Sequence, residues 1–293
     1  MAEEAAYHDR DGWIWMNGSF VPWREASVHV LTHGLHYASA VFEGERAYDG
    51  AIFRGHEHSQ RLHNSATLMD FKIPYSADEI DRIKQETLQR SGLASAYVRC
   101  IAWRGSEKMG VSAHNNKINL AVAAWHWGDY FPDKMKGIRL MMAPYQRPSP
   151  ATAPCNAKAA GLYMICTLSK HAAERAGFQD ALMLDWRGQI AEATGANVFF
   201  VKDGVIHTPT PDCFLNGLTR QTVIALARQR GIEVVERAMW PNELAGFQEI
   251  FLTGSAAEIT PVSEIAGMYF KPGKVTEQLI ADFGALTQRK NAA

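Results

Sequence analysis

One lysine stands alone in the stretch APCNAKAAGLY. Lys158 has no other lysine between Lys136 and Lys170, and its neighbours are Ala, Gly, Cys and Asn. Small neighbours let a bulky group approach an amine, and apolar surroundings disfavour its charged form. Such an amine can attack a carbonyl carbon; the alternative is a surface residue in a bland loop. Glu192 sits between apolar residues in GQIAEATGANVFF, just before a Thr-Gly turn, and Asn197 follows just before a strand. A carboxylate there either acts on a ligand or serves as a buried hydrogen-bonding residue.

Further groups with chemical potential are spread along the chain. LNGLTRQTV places Gly217 before a helix start with Thr219 in its first turn. Free backbone N–H groups and a hydroxyl at that point can hold a phosphate, or only water or a cap. FLTGSAAEITPV is a strand running into small residues from Gly254 to Ala257, which suits a close backbone approach or an ordinary tight turn. Arg61 lies in GHEHSQRLHNSA with His56, His58 and His63. There is no HExxH, and His56 and His58 are two apart, so a helix does not bring them to one face; the histidines read as solvated polar residues. Tyr97 and Arg99 alternate onto one strand face, where they either receive a carboxylate or form a partly exposed ion-pairing surface. No GxSxG elbow, phosphate-binding P-loop or GxGxxG turn is present.

The elements that must position these groups follow from periodicity. Hairpins are expected at 13–23 around Asn17-Gly18 and at 40–54 around Asp49-Gly50. Helices are expected at about 57–71 and from Ser76, with Glu79 as a capping box, to Ser91. Strands follow at 95–105 and 117–128. The polar segment DYFPDKMKG at 129–137 breaks the pattern and reads as a linker, so the expected domains are 1–128 and 138–293. In the second half, strands at 138–145, around 180–209, 232–239 and 249–255 alternate with helices at 161–177, 218–231 and 274–290. The expected class is α/β (α+β) in two domains.

Composition sets limits. The 293 residues are 47% hydrophobic and 21% charged, with a formal net charge of −1, which offers no electrostatic attraction to nucleic acid or anionic membrane. No apolar run approaches a membrane span, and the polar N-terminus lacks a secretory pattern. Cys100, Cys155, Cys166 and Cys213 form no CxxC pair, so reduced thiols in a cytoplasm are expected, with no metal site.

Taken in order, these features resemble the branched-chain amino-acid aminotransferases among the fold-type IV pyridoxal-phosphate enzymes. The resemblance rests on Glu192, Thr194, Asn197 and Phe199, then Ile206 and Thr208, then Gly217, Leu218 and Arg220. HGLHYASAVFEGERAY, EHSQRLHNSA, SAYVRCIAWRG with MGV, and GSAAEITPV extend it over about residues 13–270. It implies a D-amino-acid-aminotransferase-like architecture with pyridoxal 5'-phosphate as cofactor. It further implies that Lys158 carries the cofactor as a Schiff base and that Glu192 faces its pyridine nitrogen. Tyr163 would bind the phenolic oxygen, and Asn197 would be a further cofactor-binding residue. Arg61, Gly217, Leu218, Thr219 and Ser255 would bind the phosphate; many relatives carry threonine where this chain has Ser255.

The substrate-facing residues implied are Tyr37, Phe42, Gly44, Arg46, Tyr97, Arg99, Met109, Val111, Tyr130, Ser255 and Ala256. Phe42 and Val111 would line an apolar pocket. Tyr97 and the Ser255–Ala256 backbone would hold the α-carboxylate, and Arg99 the γ-carboxylate of glutamate. The implied reaction moves the amino group of L-leucine, L-isoleucine or L-valine to 2-oxoglutarate in a homodimer or higher homo-oligomer. The alternatives are a transaminase for D-amino acids or (R)-amines, an aminodeoxychorismate lyase, and a non-catalytic binding module. Glu45 stands where many relatives are apolar, and its side chain is expected to point away from the face that Gly44 and Arg46 share with the substrate. Arg104, Glu107 and Lys108 add charge near the substrate loop.

Overall fold

The computed structural model describes residues 6–128 and 134–288. Contacts divide the chain into two compact units, Met1–Gly128 with Ala157–Gly161, and Asp129–Asn156 with Leu162–Ala293. The expected linker lies partly outside the described residues; within them, Lys134–Lys136 forms a 3-10 turn.

The first unit is a six-stranded antiparallel sheet with helices. In chain order it contains β1 (Trp13–Met16), β2 (Ser19–Pro22), α1 (His33–Tyr37), β3 (Ala40–Tyr48), β4 (Ala51–Ile52), α2 (Gly55–Leu68), α3 (Ala77–Ser91), β5 (Ala96–Arg104) and β6 (Ile118–His126). The strand order is β2-β1-β6-β5-β3-β4. Asn17 and Gly18 both have positive φ, 52° and 105°, as a two-residue turn matching strand twist requires. The capping box at α3 is formed as expected: the Ser76 hydroxyl accepts from the Glu79 amide, and the Glu79 carboxylate accepts from the Ser76 amide. The five-residue α1, absent from the sequence reading, ends where Ala38 turns left-handed at φ 52°.

Residues 157–161 join this unit although the sequence reading places all of 138–293 in the second domain. The Phe42 amide donates to the Lys158 carbonyl at 3.1 Å, the Lys158 amide donates to Ser65 Oγ at 2.9 Å, and Val41 bridges Ala159. These partners are about 90 to 120 positions away in sequence, and no local pattern reports them.

The second unit contains β7 (Ile138–Met142), α4 (Tyr163–Arg175), β8 (Asp180–Leu184), β9 (Ile190–Ala193), β10 (Asn197–Lys202), β11 (Val205–Pro209), α5 (Leu218–Gln229), β12 (Val234–Arg237), β13 (Glu249–Gly254), β14 (Glu258–Ile265), β15 (Met268–Tyr269) and α6 (Lys274–Gln288). Its sheet runs β12-β11-β10-β13-β14-β7-β8-β9, with β15 on β14. β7 pairs parallel with β8 and β14, while β10 pairs antiparallel with β11 and β13. Most of β10 is buried on both faces, and Phe199 stacks on Phe251 with ring centres 5.0 Å apart. Ile138, Leu140, Val198, Phe200, Leu252 and Val262 lie in one buried cluster that fixes the strands carrying Glu192 and Asn197. Among the described residues, no helix is long and apolar enough to cross a membrane.

Candidate active site

In the first unit, alternation along β3 sorts two chemistries onto two faces. Phe42, Gly44 and Arg46 share one face with Tyr97 and Arg99 of β5, their neighbours in register. Tyr97 is buried between Trp125 and Trp127, with ring centres 5.3 and 4.6 Å away. Its hydroxyl lies over Gly44: a Cβ at that position would sit 1.8 Å from Tyr97 Oη, so only glycine leaves the phenol in place. Lys158 Nζ and the Arg99 guanidinium both lie over the Phe42 ring, at 5.1 and 4.6 Å. Beside them is an apolar hollow of about 400 Å³ lined by Met16, Ala40, Ile101, Trp103 and Ala160, with Arg99 as a charged wall.

The Lys158 amine is shifted down to about 8, first by burial and then by the nearby Arg61 cation. Both disfavour the ammonium form, which is what a nucleophilic lysine needs.

The opposite face of β3 holds a buried charge network. Glu43 accepts from Arg61 Nε and Nη2 at 2.7 and 2.8 Å and from His58 Nδ1 at 2.6 Å. Burial alone would raise the Glu43 pKa; Arg61 and His58 outweigh it and hold the carboxyl far below the usual range. His58 is therefore not a solvated residue, as the sequence reading has it, but is 2% exposed and bonded within the fold. The residue spacing hid this, because β3 supplies the partner. Arg61 is oriented by a bidentate carboxylate, which fixes the plane in which its guanidinium meets an anion.

Glu45 does point away from the Gly44 and Arg46 face. Its carboxylate is fully buried and accepts from Lys84 Nζ at 2.9 Å, while Lys84 also donates to the Gly55 carbonyl at 2.7 Å. This pair tethers the start of α2, the helix that carries Arg61, to β3 and α3. Replacing Lys84 by methionine strands a buried carboxylate and is expected to cost about 3–5 kcal/mol; adding Glu45→Ile should recover most of that loss, since an apolar pair of similar volume replaces the ions. Urea unfolding of the single and double variants checks this.

In the second unit, Glu192 is 9% exposed on β9. Its Oε2 accepts from Asn197 Nδ2 at 3.0 Å, and its Oε1 lies 3.5 Å from Arg147 Nε. Arg147 is buried; burial would lower its pKa, but Glu192, Cys166 and Tyr163 outweigh that and raise it. A permanent cation thus favours an ionised Glu192. The sequence reading missed Arg147, although it is the sole charged residue between Arg139 and Lys158. Tyr163 opens α4.

Asn197 also ties Glu192 to the start of α5, because its Oδ1 accepts from the Gly217 amide at 3.1 Å. A Cβ on Gly217 would lie 2.3 Å from that oxygen. The first turn of α5, which begins at Leu218 and Thr219, contains no acidic residue and no side-chain cap, so its positive end favours an anion. Arg220, buried behind it, braces the helix start through Asn216, the Pro209 carbonyl and Glu236. Ser255 and Ala256 follow β13, half-buried. Each unit thus carries groups that suit a phosphorylated aromatic aldehyde: the first a buried amine of lowered pKa, the second a carboxylate beside arginine and a helix start cleared by glycine.

Three expected substrate residues lie at the surface of the chain. Tyr37, Met109 and Val111 are 44%, 38% and 86% exposed, so Val111 forms no pocket wall within one chain. Tyr130 lies outside the described residues. Arg46 stays on the face of Gly44, its guanidinium 5.0 Å over the Tyr48 ring.

Residues 40–265 match the family model described as amino-transferase class IV. A branched-chain-amino-acid aminotransferase of Pseudomonas aeruginosa is 41% identical over 97% of this chain and 96% of its own length. The crystal structure of the Escherichia coli branched-chain amino acid aminotransferase superposes with a TM-score of 0.91, at 38% identity and 95% coverage of both chains. A T.th. branched-chain amino acid aminotransferase, crystallised in complex with N-(5'-phosphopyridoxyl)-L-glutamate, gives 0.91 at 39% identity, covering 95% of this chain and 94% of that one. This chain belongs to the class IV aminotransferases, and its mixed α/β fold is theirs.

Proposed function

We propose that this enzyme transfers the amino group of L-leucine, L-isoleucine and L-valine to 2-oxoglutarate, using pyridoxal 5'-phosphate, in a ping-pong sequence. The observation that carries the reading is the depressed Lys158 amine sharing the Phe42 ring with Arg99. It sets a nucleophile, an apolar wall and a carboxylate receptor on one sheet face. The cofactor, when bound, supplies an electron sink for the substrate α-carbon. Lys158 holds the cofactor and, once released by substrate, moves the α-proton. Glu192, kept ionised by Arg147, faces the ring nitrogen with Asn197 positioning it. Arg61, the Gly217–Thr219 turn and the Ser255 hydroxyl receive the phosphate, and Tyr163 the phenolic oxygen.

Tyr97 and the Ser255–Ala256 backbone take the α-carboxylate. The apolar hollow beside Arg99 takes an aliphatic side chain, while Arg99 accepts the second carboxylate of glutamate. Tyr37, Met109 and Val111 expose largely apolar surface to water, which a second copy of the chain would cover, so the working unit is at least a homodimer. Four buried free thiols fit a cytoplasmic enzyme.

A donor panel of L-leucine, L-isoleucine, L-valine, D-alanine and (R)-1-phenylethylamine with 2-oxoglutarate tests the reading; preference for D-alanine or the amine would overturn the substrate while leaving the cofactor chemistry intact. Arg99→Ala is expected to lower kcat/KM for glutamate about 10–100-fold and that for leucine by much less, because only glutamate has a charge to lose there. Equal losses would refute the role of Arg99.

A further inference from the structure

His33 is 2% exposed and has no part in the chemistry above. It opens α1, and its amide donates to the Gly105 carbonyl at 2.9 Å. Its Nε2 lies 2.9 Å from the Gly110 carbonyl oxygen. A carbonyl only accepts, so Nε2 carries the proton. Nδ1 has no hydrogen-bond partner among the described residues, which leaves Nε2 as the ring's anchor. The ring also stacks on Tyr37, four residues on, with centres 4.6 Å apart and planes 29° from parallel. One imidazole therefore touches both the helix bearing Tyr37 and the tip of the loop bearing Met109 and Val111.

The limbs of that loop are held separately. Arg104 donates to the Ala113 carbonyl at 3.2 Å, Asn116 Nδ2 donates to the Gly105 and Lys108 carbonyls at 3.0 Å each, and the Glu107 carboxylate accepts from the Lys117 amide at 3.1 Å. At the tip, Gly110 takes φ +132° and presents its carbonyl to His33. Met109 and Val111 flank that carbonyl. Apolar side chains on an unanchored loop tip adapt to several ligands; discrimination of one methylene requires walls held to a fraction of an ångström.

We propose that His33 is a positioning residue that holds the loop tip bearing Met109 and Val111 against the helix bearing Tyr37, and that in the homodimer, where a second copy covers these exposed side chains, the tip held in this way sets selectivity for the side chain of the amino donor. The proposal rests on the substrate reading above. Two variants divide the functions of the imidazole: His33→Gln keeps a donor for Gly110 and loses the ring, whereas His33→Phe keeps the ring and loses the donor. With the purified holoenzyme, His33→Phe is expected to raise KM for L-leucine about tenfold and flatten the leucine-to-alanine preference by a similar factor. Its kcat at saturation and its visible cofactor absorbance should match wild type. Backbone hydrogen exchange at 108–112 should rise. His33→Gln should retain most of the wild-type KM and exchange protection. Should the phenylalanine variant fail to fold, His33→Asn, whose shorter amide falls short of Gly110, carries the same expectations. Wild-type KM with unchanged exchange in the donor-less variants overturns the clamp, as does an equal fall in kcat, cofactor affinity and 1/KM, which marks general destabilisation. Raised exchange with no leucine turnover even in wild type would instead sink the substrate reading and leave the clamp standing.

Discussion

Lys158→Ala is expected to abolish turnover, with a loss of at least about 10⁴-fold in kcat, and to remove the visible absorbance that the wild-type chain acquires on incubation with pyridoxal 5'-phosphate. On the proposed roles, two functions disappear with one amine: the covalent hold on the cofactor, and the base that moves the α-proton, whose removal alone costs about 10²–10⁴-fold. The depressed pKa of about 8 adds a pH signature. Its sign is set by the lowered value: below 8 the amine is mostly protonated, and its reactive neutral fraction rises about tenfold per pH unit. At pH 7 roughly one amine in ten is neutral, against roughly one in three thousand for an ordinary lysine. Attachment of the cofactor to the apo-protein should therefore accelerate from pH 6 to 8 and level off above. A rate still climbing tenfold per unit between pH 9 and 10 would mean the amine is unperturbed. A colourless wild-type protein would sink the entire cofactor assignment.

Glu192→Gln is expected to lower kcat by about 10²–10³-fold, the scale on which a single preorganised electrostatic contact acts in an active site. The substitution keeps the shape and the hydrogen bond to Asn197, and removes the charge proposed to face the cofactor ring nitrogen. Arg147 sharpens the expectation. In the variant its buried guanidinium, 3.5 Å from the former carboxylate, would lie beside a neutral amide and oppose protonation of a ring placed there. Arg147→Met should consequently restore part of the activity lost in Glu192→Gln, while damaging the otherwise wild-type enzyme. Activity assays of the two single variants and the double variant check this, and a strictly additive double variant would disprove the coupling.

Local signals carried much of the architecture. The hairpin at Asn17-Gly18, the Ser76/Glu79 capping box and the periodicity of 218–231 need only residues a few positions apart, and the structure places those elements within two residues of the expected bounds. Short or unpatterned elements escaped: α1 is five residues long, and β14 follows the small residues 254–257 in a stretch to which no element was assigned. The residue types of the site were also legible, because an isolated lysine, a carboxylate in an apolar strand and a glycine before a helix are each unusual where they stand.

The amino-acid order alone therefore determined the class of chemistry and the candidate residues Lys158, Glu192 and Arg61. Tertiary structure decided the state in which each is held. Burial and Arg61 lower the pKa of the Lys158 amine, and Arg147 sits against Glu192 of β9 from the segment between β7 and α4. Glu43 orients Arg61 with help from a histidine that spacing assigned to solvent, and Glu45, conspicuous in the sequence, proves to be paired with Lys84 on the far face of its strand. Charge states and side-chain orientations depend on partners brought together from distant parts of the chain, and a pattern with a period of two or 3.6 residues reports only near neighbours.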